Sequence, residues 1–267
     1  MNILDKIVAH KYTEIAERSS KAPISTLEQS PYFTRSTYSL RESLLNPERT
    51  GIIAEFKRRS PSKGDINTSA DVATVTAGYA GAGASGLSIL TDEQFFGGSS
   101  ADLMAGREAN QIPVLRKDFI VHDYQVYEAR AIGADVILLI AECLETDQLR
   151  SLAKTAKSLG LEVLMEVHSG DQLEKLCPEI DVVGVNNRNL KNFHVSVQTS
   201  IDLFEQIPAE FLKISESGIN DPQTILELKQ VGFQGFLIGE YFMSDAQPEL
   251  RFAEFVQCLK KLETQSV

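Results

Sequence analysis

Cysteine is scarce in this 267-residue chain. Three residues, Cys143, Cys177 and Cys258, are odd in number and far apart, which excludes a disulfide framework and reads as reduced thiols. Long apolar runs are missing too. The longest, Ala134 to Ala141, is broken by Asp135 and is far too short to cross a bilayer. The start, Met1-Asn2-Ile3-Leu4-Asp5-Lys6, lacks the unbroken apolar stretch of a secretory signal. Asn67-Thr68-Ser69 matches a glycosylation sequon, with no sign of secretion to accompany it. Positive charge is in deficit. Lys and Arg number 26 against 37 Asp and Glu, and the net −11 argues against broad nucleic-acid binding and against an anionic membrane surface. A small anionic substrate stays compatible, because a few local cations can serve one phosphate. The histidines, His10, His122, His168 and His194, show neither H-E-x-x-H nor Cys/His ligand spacing, so no metal is expected. No G-x-S-x-G elbow supports a serine hydrolase. These absences lead to the expectation of a soluble cytoplasmic protein.

What is present is a rhythm. After residue 50, short runs rich in Val, Ile, Leu and Phe alternate with longer segments of helical period. The runs are Gly51–Phe56, Gly86–Leu90, Pro113–Arg116, Asp135–Ile140, Glu162–Met165, Asp181–Val185, Leu212–Ser215 and Gly235–Ile238. Each reads as a parallel strand covered on both faces. Segments such as 71–82, 124–132, 146–159 and 222–231 carry apolar residues at three- and four-residue steps, and Gly133 and Gly160 sit where left-handed caps belong. Eight such units with a last helix near 248–262 are the count of an α/β fold of the (β/α)8 TIM-barrel type. An open doubly wound sheet uses the same alternation, but no dinucleotide fingerprint opens the first β-α turn. Gly81-Ala82-Gly83-Ala84-Ser85-Gly86 does match G-x-G-x-x-G. It follows a helix and precedes a strand, so it reads as a helix stop and a tight turn.

Residues 1–50 lie outside the rhythm and are expected to be an N-terminal helical extension of a single domain spanning 1–267. Leu4, Ile7, Val8, Lys11 and Ile15 suggest one amphipathic helix, Leu40, Leu44 and Leu45 another, and Pro23 and Pro31 break the stretch between. A layer closing the bottom or side of the barrel is favoured slightly over a lid near the active face.

Alternate residues of a strand share a face. Glu55 and Lys57 in the first strand, Lys117 at the end of the third, Glu166 at the end of the fifth, Asn186 and Arg188 beyond the sixth, and Glu216 at the end of the seventh can therefore all converge on the barrel mouth. Catalytic residues of barrels lie at that end. One charge at a strand end is usually a solvated terminus; five strands doing the same form a pocket of cations and carboxylates. Crowding of that kind shifts proton affinities and supplies acids and bases without a metal. Phosphate has its own signals. Ser215–Ile219 follows the seventh strand and Ile238–Glu240 the eighth, with glycines that let backbone N–H groups approach an anion, and the basic cluster Lys57–Gly64 leaves the neighbouring first strand.

The stretch Ile52–Gly64 (IIAEFKRRSPSKG) closely resembles the signature of the indole-3-glycerol phosphate synthases. The resemblance continues through Leu90-Thr91, Phe95–Gly98, Leu115–Phe119, Leu164–His168, Gly184–Leu190, Ser215–Gly218 and Leu237–Glu240, and reaches back to Ile3–Val8. One departure is Arg59, where a small residue is commoner in the family. The resemblance implies a lyase of tryptophan biosynthesis, without a cofactor. It would convert 1-(2-carboxyphenylamino)-1-deoxyribulose 5-phosphate to indole-3-glycerol phosphate, releasing carbon dioxide and water. By the same resemblance Lys117 is the proton donor to the ketone and Glu166 the base of dehydration. Lys57 is an acid and carboxylate anchor, and Glu55, Asn186 and Glu216 orient hydroxyls and lysines. Phe96, Phe119, Leu138 and Ile140 line the aromatic pocket, and Arg188 meets an anion or hydroxyl. Ser60, Ser217, Gly218, Gly239 and Glu240 surround the phosphate. The expected partner is a small phosphorylated substrate, with no nucleic acid and no membrane, and the expected state is a monomer or weak homodimer. The rival readings are a phosphoribosylanthranilate isomerase-like enzyme, which would need a strand-end cysteine absent here, and a non-catalytic phosphate-ligand sensor.

Overall fold

Eight parallel strands close on themselves in the computed structural model, which describes residues 3–189 and 193–265. Leu190, the last residue of the Gly184–Leu190 motif, lies outside the described residues. The strands are β1 (Ile52–Phe56), β2 (Gly86–Leu90), β3 (Val114–Lys117), β4 (Val136–Ile140), β5 (Glu162–Val167), β6 (Val182–Asn186), β7 (Leu212–Glu216) and β8 (Gly235–Ile238). Each pairs with its neighbour in sequence, and β8 returns to β1 with Ile53 opposite Leu237. This is the (β/α)8 barrel that the rhythm predicts. Helices pack outside all but one crossover; between β5 and β6 the chain makes only a 3-10 turn, Gly170–Lys175. A short hairpin, Arg59–Ser60 with Gly64–Asp65, follows β1 and has no counterpart in the sequence reading. Asp71 and Ser99 cap the two helices that follow them by accepting from Thr74 N and Asp102 N. Gly133 and Gly160 take the left-handed conformation at φ +95° and +73°. The helix Val72–Gly81 ends at the first glycine of the G-x-G-x-x-G stretch and β2 begins at its last, so the stretch is a turn, as read.

The alternation of the strands sorts the apolar residues into two cores. Ile52, Ala54, Phe56, Leu87, Ile89, Met165, Val183 and Phe236 face outward into the shell of helices. Ile53, Leu115, Val136, Leu138, Leu164, Val182, Leu212, Ile214 and Leu237 face inward and fill the lumen. The lumen is therefore packed below its mouth, and polar groups can occupy only its upper layer.

The N-terminal extension seals both ends of this inner core. Helix α1 spans Ile3–Lys21, α2 Ile24–Leu27 and α3 Leu40–Leu45. Leu40 and Leu44 of α3 plug the bottom, where a side chain at Gly86 or Gly235 would collide with them. The Glu162 carboxylate accepts from the backbone N–H groups of Leu40 (2.8 Å) and Arg41 (3.0 Å) at the start of α3. Helix α1 lies at the opposite end, which corrects the expectation that the whole extension sits below or beside the barrel. Ile7 and Leu4 join the inner core from above. The physical reason is Lys11, which is 1% exposed within the apolar stripe of α1. Its ammonium lies 2.8 Å from Asp92 and 2.9 Å from Asp118, carboxylates just beyond the C-terminal ends of β2 and β3. Burial disfavours that charge, but Asp118 and Asp92 outweigh it and hold the proton more firmly than in water. The pairs close a circuit: Asp118 to Arg116, Arg116 to Glu128, Glu128 to Arg18, Arg18 to Glu14, and Glu14 back to Lys11.

Removing one member of such a network leaves a buried charge uncompensated. Lys11→Met keeps most of the apolar stem and removes the ammonium, and is expected to destabilise the fold by about 3–5 kcal/mol in urea unfolding. A change below about 1 kcal/mol would show that the circuit does not hold α1 in place.

Candidate active site

The inward-facing residue nearest the C-terminal end of a strand is the last one before solvent. In five strands that residue is polar, and the barrel register brings the five together. Glu55 stands opposite Ser88, Glu166 opposite Gly184, and Asn186 opposite Glu216. The Lys117 Nζ lies between two carboxylates, 2.8 Å from Glu166 Oε2 and 2.9 Å from Glu216 Oε2. Lys57 pairs with Glu55 at 2.8 Å, and the second Glu55 oxygen accepts from Ser88 Oγ at 3.2 Å. Asn186 donates to Glu166 Oε1 (3.1 Å) and accepts from the backbone N–H of Arg188 (3.0 Å).

Two glycines make room for these carboxylates. A Cβ at Gly184 would stand 2.1 Å from Glu216 Oε1, and one at Gly239 would stand 2.6 Å from Glu55 Oε1. The upper lumen holds three carboxylates because the strands beside two of them carry no side chain.

Burial and charge pull these groups apart. Burial weakens the charge on Lys117, but Glu166, Glu216 and Glu55 reverse this and raise its proton affinity. Burial pushes Glu166 up, yet Lys117 and His168 overcome it and hold the carboxyl down at about 2. Glu216 ends on the other side. Burial raises it, Lys117 draws it down, and the neighbouring Glu166 and Glu55 raise it again, to about 7. Glu55 is lowered against burial by Lys57 and Lys117. One carboxyl group of lowered and one of raised proton affinity thus share a single ammonium.

Above this layer the pocket divides. Phe96 and Phe119 stand with ring centroids 5.9 Å apart beside Leu138 and Ile140, and Ile3, Leu4 and Ile7 of α1 complete an apolar wall. On the other side lie Ser60, Arg188, Ser217 and Glu240, with an adjoining cavity lined by Gly218, Gly239 and Lys63. Every site residue expected from sequence therefore reaches the mouth, and all but Gly218 and Gly239 line the first pocket. Glu240 is held by Arg188 at 3.0 Å and by Lys63 at 3.3 Å, which ties the loops after β1, β6 and β8 together. Ser217 and Gly218 are both left-handed, at φ +66° and +77°. For Ser217, which carries a side chain, that conformation is strained and persists only where its surroundings fix it. Asn187 does so, donating to Ser217 O and Ser215 Oγ while its own oxygen accepts from Ser200.

Arg59, the departure from the family pattern, binds away from the pocket. Its guanidinium donates to Gln94 O and its stem packs on Gly97, so it straps the loop after β1 to the loop after β2. Sequence reasoning missed the α1 residues of the apolar wall, Asn187 and the proximity of His168 to Glu166. A lysine inside the apolar stripe of α1 was the one available sign that this helix faces charged strand ends.

Glu216 binds its proton more tightly folded than unfolded. Between pH 4.5 and about 7 the folded state then carries more protons, and this carboxyl makes stability fall as pH rises. Glu216→Gln removes that loss. Relative to the unsubstituted protein it is expected to gain about 1–3 kcal/mol between pH 5 and pH 8, read from urea unfolding at both. An equal difference at the two pH values would mean that Glu216 ionises freely.

Comparison with known proteins fits this geometry. The family model described as indole-3-glycerol phosphate synthase matches residues 4–255. The indole-3-glycerol phosphate synthase of Bacteroides thetaiotaomicron is 43% identical over 259 residues, 97% of this chain and 99% of that protein. The protein of that name from Verminephrobacter eiseniae is 43% identical over 261 residues, 94% of this chain and 98% of the relative. Among solved structures, 3-hexulose-6-phosphate synthase from Salmonella typhimurium superposes with a TM-score of 0.61 at 13% identity, covering 79% of this chain and 98% of that one. Tryptophan synthase subunit alpha from Legionella pneumophila gives 0.61 at 11% identity, covering 85% and 98%. These two share the fold. With the family matched along nearly its whole length, the chain belongs to the indole-3-glycerol phosphate synthases.

Proposed function

We propose that this pocket closes the indole ring of 1-(2-carboxyphenylamino)-1-deoxyribulose 5-phosphate, then expels carbon dioxide and water, with Lys117 and Glu166 as the principal acid and base. The observation that carries the assignment is the Lys117 ammonium held between Glu166 and Glu216 directly beneath an aromatic wall. The carboxyphenyl ring lies against Phe96, Phe119, Leu138 and Ile140, and the phosphate lies at the other end. There the backbone N–H groups around Ser217, Gly218 and Gly239 approach it, with Ser60 alongside and Glu240 contributing through its backbone. Arg188 and Lys63 neutralise the Glu240 carboxylate, which would otherwise repel that anion.

Ring closure joins an aromatic carbon to the ketone carbon and turns the ketone oxygen into an alkoxide. An alkoxide is basic enough to take a proton even from a firmly charged ammonium, and Lys117 supplies it. Loss of carbon dioxide then returns an electron pair to the iminium, in an apolar setting that favours leaving as a neutral molecule. In dehydration the hydroxyl leaves as water, with Lys57 as its acid and as an anchor for the substrate carboxylate before that step. Glu166 removes the proton from carbon. Once Lys117 has given up its charge, the pull that lowers Glu166 is gone, so the carboxylate becomes a stronger base when one is needed. Glu55, Asn186 and Glu216 orient the lysines and substrate hydroxyls.

The remaining readings follow from these. One domain over residues 1–267, with 1–50 as its extension, works as a unit, because α1 supplies part of the pocket wall. The protein acts in the cytoplasm on a small phosphorylated molecule, without nucleic acid. Exposed large apolar side chains such as Tyr12, Leu45, Met104 and Leu250 are spread over the fold, which supports a monomer or weak homodimer. No described helix is long and apolar enough to cross a membrane.

Lys117→Met keeps the stem and removes the donor, so the substrate is expected to bind while turnover falls at least ~10²-fold. Glu166→Gln is expected to slow dehydration more than decarboxylation. A single-turnover experiment following carbon dioxide and indole together separates them. Both signals should fall in parallel for Lys117→Met, and carbon dioxide should run ahead of indole for Glu166→Gln. Normal carbon dioxide release by Lys117→Met would overturn its role.

A further inference from the structure

The chemistry makes no use of Lys11, a buried cation of α1, or of the two aspartates that it meets. Both aspartates do more than pair with it. Asp92 turns Oδ2 to the Lys11 ammonium, while its Oδ1 accepts from the backbone N–H groups of Phe95 (2.7 Å) and Phe96 (3.1 Å). Asp118 Oδ1 pairs with the same ammonium and accepts from the N–H of Phe119 (2.8 Å). Phe96 and Phe119 are the two rings of the aromatic wall. One ammonium therefore stands behind the backbone of both.

The two aspartates are not equally secure. Asp118 also pairs with Arg116 at 3.1 Å and accepts from Thr91 Oγ1 at 2.6 Å, and both contacts are independent of Lys11. Asp92 is buried, and Lys11 is the only cation that pairs with it among the described residues. We infer that Lys11 is a positioning residue for Phe96, acting through Asp92, and that it thereby sets the gap that receives the carboxyphenyl ring. A buried carboxylate without a counter-charge is costly. Deprived of the ammonium, Asp92 must take up a proton or turn toward water. A neutral carboxyl is a weaker acceptor than a charged one, and a carboxylate that has turned away accepts nothing. Either way the hold on the Phe95 and Phe96 N–H groups is lost, while Phe119 stays with Asp118. The gap loosens on one side only.

A second route from Lys11 to the pocket runs along α1, which brings Ile3, Leu4 and Ile7 to the same wall. Neutralising position 92 tells the two routes apart. An asparagine there still offers an oxygen to the two N–H groups and needs no cation beside it. If Lys11 acts through Asp92, that change makes Lys11 dispensable for the ring. If Lys11 acts only by clamping α1, the change removes a second partner of the clamp and makes matters no better.

The inference rests on the ring lying against Phe96, as proposed above, and the variants separate the two. Two probes are titrated by calorimetry. One is 1-(2-carboxyphenylamino)-1-deoxyribitol 5-phosphate, the substrate reduced at its ketone, and the other is glycerol 3-phosphate, which has no ring. Lys11→Met removes the ammonium. Asp92→Ala removes the acceptor and leaves Lys11 paired with Asp118 and Glu14, so it decides the matter even where Lys11→Met does not fold. Both are expected to bind the ring-bearing probe at least about fivefold more weakly, with glycerol 3-phosphate within about twofold. The double variant Lys11→Met/Asp92→Asn leaves no charge to balance at position 92, and is expected to bind the ring-bearing probe within about twofold of the unsubstituted protein. Full ring affinity in Asp92→Ala, an equal loss for both probes, or a double variant that binds no better than the single ones would overturn the inference. Phe96→Leu, run beside them, reports on the underlying reading. Weak ring binding by Phe96→Leu with full affinity in Asp92→Ala removes only the role of Lys11, whereas undiminished ring binding by Phe96→Leu removes both.

Discussion

The rest of the site depends on one buried cation. Lys117 reaches into the upper lumen from β3, and its ammonium can be kept there only because Glu166 and Glu216 meet it from β5 and β7. Taking such charges out of water costs several kcal/mol each, and the cost is recovered only where geometry is good and other bonds satisfy the remaining atoms. Asn186 and Ser88 provide those bonds, to Glu166 and Glu55. Glu216 Oε1 has none among the described residues, and its carboxyl is the one whose proton affinity is raised. The same arrangement that makes the layer expensive makes it responsive. A proton that leaves Lys117 changes the affinity of every carboxylate around it.

Much of the barrel is legible in the sequence because both faces of each strand are buried and leave apolar runs. The runs understate the strands. They stop at Arg116, Met165, Val185 and Ser215, whereas β3, β5, β6 and β7 continue to Lys117, Val167, Asn186 and Glu216. A charge ends an apolar run but not a strand when that charge turns inward and finds a partner. The candidate site residues Lys117, Glu166, Asn186 and Glu216 are the polar residues at which hydrophobicity stops and β structure does not. Convergence could be read because strand parity is strict, and one shared inward face brings Glu55, Lys117, Glu166, Asn186 and Glu216 to the same end.

Other features were illegible for a different reason. Gly184 and Gly239 look like ordinary strand and turn glycines in one dimension, and their purpose appears only when a carboxylate from a neighbouring strand fills the missing volume. Asn187 sits beside Asn186 in sequence but faces outward, where it pins Ser217 and Ser200 instead of entering the pocket. His168, two residues past Glu166 and just beyond the end of β5, keeps the inward parity of that carboxylate, with its Nε2 3.3 Å from Glu166 Oε1.

The clamp on α1 also orders events in time. Lys11 belongs to a helix that precedes β2 and β3 in the chain, yet its partners Asp92 and Asp118 exist in place only after those strands have formed and paired. Until then the helix carries an ammonium and an apolar stripe with nowhere to bury either. Contacts so distant along the chain close late, since the entropy of the intervening loop must be overcome first. On that ground Ile3, Leu4 and Ile7 reach the pocket after the strands that bear the carboxylates have paired. A helix made before the strands is thus placed after them.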